Sequence, residues 1–112
     1  MTQEAYCSKE VYRLLIEKGF KGEIHTTFDN EGYTQAAITH QTAMAWLREV
    51  HNLFIEPRVG ETNGKTWYDF DIIPINGREI AWNHYNNLPF VECNSYEEAI
   101  EVALKYCLEN LI

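Results

Sequence analysis

Three stretches of this chain repeat apolar residues at helical spacing, and shorter alternating runs lie between them. In the first stretch Val11, Leu14 and Leu15 fall on one helical face. Ser8 precedes them as an N-cap, its hydroxyl able to accept from an unpaired backbone N–H. Gly19 closes the helix because glycine tolerates the left-handed conformation, and Phe20 follows where an apolar residue folds back on Leu15. A helix over Ser8–Lys18 is predicted.

Residues Glu23–Phe28 and Tyr33–Ile38 are rich in Thr, Ile, Phe and Tyr and read as strands, joined as a hairpin by the turn signal Asp29-Asn30-Glu31-Gly32. Thr and Ala dominate both sides, so neither face declares itself as the buried one. Thr39 offers a second N-cap, for a helix over His40–Asn52. Its stripe is Ala43, Leu47, Val50 and Phe54, with Met44 and His51 beside it. Phe54–Val59 reads as a short strand, which Pro57 assigns to a sheet edge or an early end. Gly60–Lys65 reads as a loop around Asn63-Gly64.

Thr66–Ile75 is the clearest strand. Tyr68, Phe70 and Ile72 alternate with Trp67, Asp69 and Asp71, which predicts one apolar and one wet face. Asn76-Gly77 breaks it, Ile80–Tyr85 reads as a fifth strand, and Asn86–Pro89 as an irregular crossing. The last helix begins with the capping box Ser95-Tyr96-Glu97-Glu98. Ile100, Ala103, Leu104, Cys107, Leu108 and Leu111 then form an apolar stripe. The predicted class is α+β: one domain, 1–112, in the order α-β-β-α-β-β-(β)-α. Three helices are expected on one antiparallel sheet of four to five strands, with the C-terminal helix packed across it.

Composition sharpens this picture. With 46 % hydrophobic residues, seven Tyr, five Phe and three Trp in 112 positions, the chain has the apolar area to repay ordering. The net charge is −8, and no cluster holds more than two Lys or Arg. Phosphate binding relies on such clusters, so nucleic acid and anionic membranes are disfavoured as partners. Three cysteines, Cys7, Cys93 and Cys107, are an odd set without a CxxC pair, unlike a secreted disulfide framework. Met1–Glu10 is polar rather than signal-like, and no stretch approaches the roughly 18 apolar residues of a membrane span. A cytoplasmic location is expected.

The candidate chemistry is sparse. His25, His40, His51 and His84 form no HxH or HxxxH pair; His40 and His51 stand about 16 Å apart along one helix face by helical rise. No ligand spacing predicts a metal, and no glycine-rich loop predicts a phosphate-bearing cofactor. Asp69 and Asp71 share a strand face and are candidates to share a proton or hold a hard cation, weighed against ordinary solvation. Cys93 or Cys107 with His84 is a conceivable nucleophile and base, but no activating motif surrounds either thiol. No catalytic, cofactor or metal residue is therefore assigned. The segment Ile80-Ala81-Trp82-Asn83-His84-Tyr85-Asn86-Asn87 combines rigid rings with adaptable amides, which suits recognition. It singles out Trp82, His84 and Tyr85 as an interaction surface, against the alternative that Trp82 packs as core.

Three stretches together, SKEVYRLLIEKGF (Ser8–Phe20), ITHQTAMAWLREVHNLFIE (Ile38–Glu56) and YEEAIEVALKYCLENLI (Tyr96–Ile112), carry a resemblance. They are similar to a group of small uncharacterised proteins of gut Bacteroides associated with prophage-like and mobile elements. The similarity covers roughly half the chain and consists mainly of helix caps and packing stripes; Glu61–Asn94 departs from it. The resemblance implies a bacterial, mobile-element setting and carries over no activity and no functional residue. The expected role is a non-enzymatic protein-interaction module, binding a partner protein or itself. Alternatives are an acidic DNA-mimic inhibitor of a nucleic-acid enzyme, and a small enzyme without a recognisable motif using Asp69, Asp71, His84 or Cys93.

Overall fold

The chain's elements follow from local signals at their ends. In the computed structural model, which describes residues 5–76, 79–80 and 93–112, Ser8 caps α1 (Lys9–Glu17) by accepting the Val11 N–H at 3.2 Å. Gly19, at φ +88°, ends the helix in a Schellman motif: Phe20 N–H donates to Leu15 C=O at 3.0 Å and Gly19 N–H to Ile16 C=O at 3.1 Å. Thr39 caps α2 (His40–Val50) through the Thr42 N–H, and Ser95 caps α3 (Tyr96–Asn110) through the Glu98 N–H. The Glu98 carboxylate reaches back, accepting the Asn94 N–H at 3.0 Å.

Among the described residues, two antiparallel hairpins and a short fifth strand complete the order α1-β1-β2-α2-β3-β4-β5-α3. The first joins β1 (His25–Phe28) to β2 (Thr34–Ala37) in the register His25↔Ala37 to Phe28↔Thr34. Its turn is held by the Asp29 carboxylate, which accepts the N–H groups of Glu31 and Tyr33, both at 2.9 Å. The second joins β3 (Leu53–Thr62) to β4 (Lys65–Asn76). Asn63 and Gly64 both take positive φ, +53° and +77°, so the connection is a two-residue turn. The predicted loop over Gly60–Lys65 is instead mostly strand. Pro57 lies within β3, which is an edge strand of the β3-β4-β5 sheet.

The expected single sheet is not formed. Among the described residues, β1 and β2 make a two-stranded sheet of their own, separate from β3-β4-β5. Composition explains the division: Thr26, Thr27, Thr34 and Gln35 supply no apolar face for a helix to cover, and only Ala37 of this hairpin is buried. The fifth strand is short, β5 (Glu79–Ile80) pairing with the end of β4; the rest of the predicted strand Ile80–Tyr85 lies outside the described residues.

The core lies between the helices and the β3–β4 hairpin. Ile100, Ala103, Leu104, Cys107 and Leu108 of α3 are buried with Leu53, Ile55, Phe70 and Ile72, as the stripe of α3 predicts. The α2 helix adds Ala43, Trp46 and Leu47, and α1 adds Val11 and Leu15, packing chiefly on α3 rather than on the strands. The predicted α2 stripe is partly corrected. The helix stops at Val50, which is 57 % exposed, and Asn52 at φ +57° turns the chain. Phe54 therefore belongs to β3 and points outward, while His40 and Trp46 take the inner positions. The wet face of β4 is also corrected, because Asp71 and Ile73 are buried along with Phe70 and Ile72.

Candidate functional site

The residues that fold together most closely flank two helix N-caps. The segment Ala5–Cys7 pairs with Ile38–His40 in extended conformation: Cys7 N–H donates to Ile38 C=O at 2.8 Å and His40 N–H to Ala5 C=O at 2.9 Å. Each segment then turns into a helix, one at Ser8 and the other at Thr39. The starts of α1 and α2 are thereby locked side by side, with Cys7 just before one cap and His40 just after the other.

Glu101, near the middle of α3, meets both. Its Oε1 accepts the backbone N–H of Ser8 at 2.6 Å and lies 3.0 Å from Nε2 of His40. The His40 side chain is 5 % exposed and that of Glu101 25 %. One ligand-type atom each of Cys7, His40 and Glu101 lies within 4.8 Å of the others. Nδ1 of His40 is buried and has no hydrogen-bond partner among the described residues.

The electrostatics set the resting protonation. Burial pushes the Glu101 carboxyl up, but the hydrogen bonds from His40 and Ser8 outweigh it and leave the group below its ordinary value. Burial pushes the Cys7 thiol up to about 12, with the Glu101 charge adding to the rise. A carboxylate beside a protonated thiol results. Such a thiol is a poor nucleophile, so the Cys–His–Glu grouping is not arranged for thiolate catalysis.

Cys7 also lines a cleft of about 340 Å³ between the first turn of α1 and the β1–β2 hairpin. Tyr6, Lys9 and Tyr12 form its helix side, and Thr27, Phe28, Gln35, Ala36 and Ala37 its hairpin side. Tyr6 packs edge-on against His25, with ring centroids 6.0 Å apart. A smaller cavity of about 200 Å³ lies between α2 and β3, bounded by Met44, Arg48, Phe54 and Tyr96.

Of the residues singled out by sequence, the described ones, Asp69, Asp71, Cys93 and Cys107, fall elsewhere. Trp82, His84 and Tyr85 lie outside the described residues. Asp69 forms a two-pronged ion pair with Arg58, at 2.9 and 3.1 Å, and Asp71 is buried and accepts the Ile72 N–H at 2.9 Å. Cys107 is core, and Cys93 is buried where its backbone bridges to Tyr68. Sequence spacing had no means of joining Cys7, His40 and Glu101, which come from three elements. One sign was present: an acidic residue at the margin of the α3 stripe, directly after Ile100 and three before Leu104. A carboxylate there is drawn toward the interior and needs donors.

Among the described residues no helix is long and apolar enough to cross a membrane. No protein-family model, no curated protein and no solved structure matches the chain, so its chemistry is read from its own geometry.

Proposed function

We propose that this chain is a protein-binding module that takes an extended segment of a partner along the free edge of β2. The observation that carries the reading is that edge. The Asp29 N–H donates to Tyr33 C=O at 2.9 Å, so the backbone groups of Tyr33 face β1. Strand alternation then turns Gln35 and Ala37 toward β1, and Thr34, Ala36 and Ile38 away from it. Ile38 C=O meets the Cys7 N–H, as that alternation requires. Thr34 and Ala36 are exposed, and β2 has no second strand partner among the described residues.

Packing supports the same reading. A two-stranded hairpin is at best marginal in water by itself. This one holds Phe28 at 70 % and Tyr33 at 67 % exposure and buries little in return. An added strand supplies the missing ladder, as in strand-addition recognition. Its alternate side chains would lie over the face of Thr27, Gln35 and Ala37, onto which the cleft opens. The ring of Tyr12 favours an apolar or aromatic side chain there, and Lys9 at the same cleft favours an acidic neighbour.

The test is selection from a displayed random-peptide library, followed by binding of the selected peptides to Ala36→Pro. That substitution removes an N–H facing the free edge and leaves the β1–β2 bonds in place. Extended peptides that bind the natural chain and lose at least roughly tenfold in affinity on Ala36→Pro are expected. Failure to select any peptide, or equal binding to Ala36→Pro, overturns the reading.

A further inference from the structure

We propose that Cys7, His40 and Glu101 form a binding site for a thiophilic divalent cation of the zinc class. The donors are a sulfur, an imidazole nitrogen and a carboxylate oxygen, the three ligand types such an ion uses. Their atoms lie within 4.8 Å of one another, and the closest pair, Nε2 and Oε1, is 3.0 Å apart. Bonds of about 2.0–2.3 Å at tetrahedral angles hold neighbouring donors roughly 3.3–3.6 Å apart. A bound ion therefore requires the histidine–carboxylate contact to open by a few tenths of an ångström and the sulfur to draw inward from within 4.8 Å.

The surroundings favour it. The backbone carrying Cys7 and His40 is fixed by the reciprocal pairing of Ala5–Cys7 with Ile38–His40, and the Ser8 N–H orients Glu101. Ligands so placed are pre-organised, with the Ser8 N–H as outer support of the Glu101 carboxylate. A thiolate, a carboxylate and a neutral imidazole together cancel a 2+ charge, so the bound complex adds no net charge to a largely buried place. Coordination replaces the S–H bond of Cys7 with a sulfur–metal bond and releases that proton to solvent. Cys7 lines the cleft, which gives the ion a route in.

Cobalt(II) added to the metal-free full-length chain is the direct probe, because a thiolate ligand gives it a sulfur-to-metal charge-transfer band in the near ultraviolet. The band is expected to saturate at one ion per chain. It is expected to vanish in Cys7→Ala and to remain in Cys93→Ala and Cys107→Ala. Glu101→Gln, which keeps hydrogen-bonding capacity, is expected to bind roughly tenfold or more weakly. Zinc should displace the cobalt and raise the unfolding temperature of the natural chain. Absence of a saturable band, or its persistence in Cys7→Ala, overturns the proposal. If Cys7→Ala loses its circular dichroism signal, the Glu101→Gln affinity decides, with unchanged binding counting against the site.

Discussion

Nε2 of His40 and Oε1 of Glu101 stand 3.0 Å apart, joining the first residue of α2 to the middle of α3 across 61 positions of sequence. Because the same oxygen also accepts the Ser8 N–H at 2.6 Å, one carboxylate ties all three helices together. Hydrogen bonds to a charged acceptor contribute about 1.5–3 kcal/mol each, and removing the acceptor leaves a buried imidazole N–H unserved. Glu101→Ala should therefore cost about 2–3 kcal/mol, after allowance for its partial exposure. Glu101→Gln retains an accepting oxygen and should cost less than half as much. Urea midpoints with an unchanged m value would verify both; equal costs would argue against the hydrogen bonds as the cause.

Trp67 lies over Gly60, its register partner across the β3–β4 hairpin, and its indole N–H donates to Thr62 Oγ1 at 3.0 Å. A Cβ on Gly60 would fall within the indole ring. Gly60→Ala should destabilise the chain by about 1 kcal/mol, since overpacking costs 1–3 in cores and this ring is only half-buried. In the Trp67→Ala background the same change should be near neutral. A double-mutant cycle without coupling would show that the ring moves aside freely.

Burial raises the Cys107 thiol from 9.0 to about 12. The native chain should therefore shield Cys107 from iodoacetamide at pH 8 and release it on unfolding. For an acidic group whose value is higher folded than unfolded, the stabilisation is complete below the unfolded value. It fades as pH rises toward the folded one. The stability gap between the natural chain and Cys107→Ala should accordingly hold up to about pH 9 and narrow above it. A gap that widens with pH would contradict the burial of this thiol.

Leu104 is fully buried between α3 and the β3–β4 hairpin, whereas Val59 on β3 is 65 % exposed. Leu104→Ala should cost about 3 kcal/mol through lost transfer energy and a residual cavity. Val59→Ala should stay within about 0.5 kcal/mol. Denaturant unfolding monitored through tryptophan fluorescence distinguishes the two, and comparable values would place the helix layer elsewhere.

The sequence by itself determined the features that neighbouring residues can complete. Ser8, Thr39 and Ser95 cap helices because an N–H three positions on lies within reach of each hydroxyl. Gly19 ends α1 and Asn63-Gly64 turns β3 into β4 because those positions need positive φ. The α3 stripe declared its own buried side. Tertiary structure decided the rest, where partners are distant. The β1–β2 hairpin, with Thr and Ala on both faces, has no apolar side to commit it to a sheet, so its separation from β3–β4 depends on what the rest of the chain covers first. Val50 and Phe54 fit a helical stripe until Asn52 turns the chain between them. Cys7, His40 and Glu101 share no spacing at all. They meet because backbone pairing sets two helix starts side by side and α3 presents a carboxylate that burial obliges to find donors there.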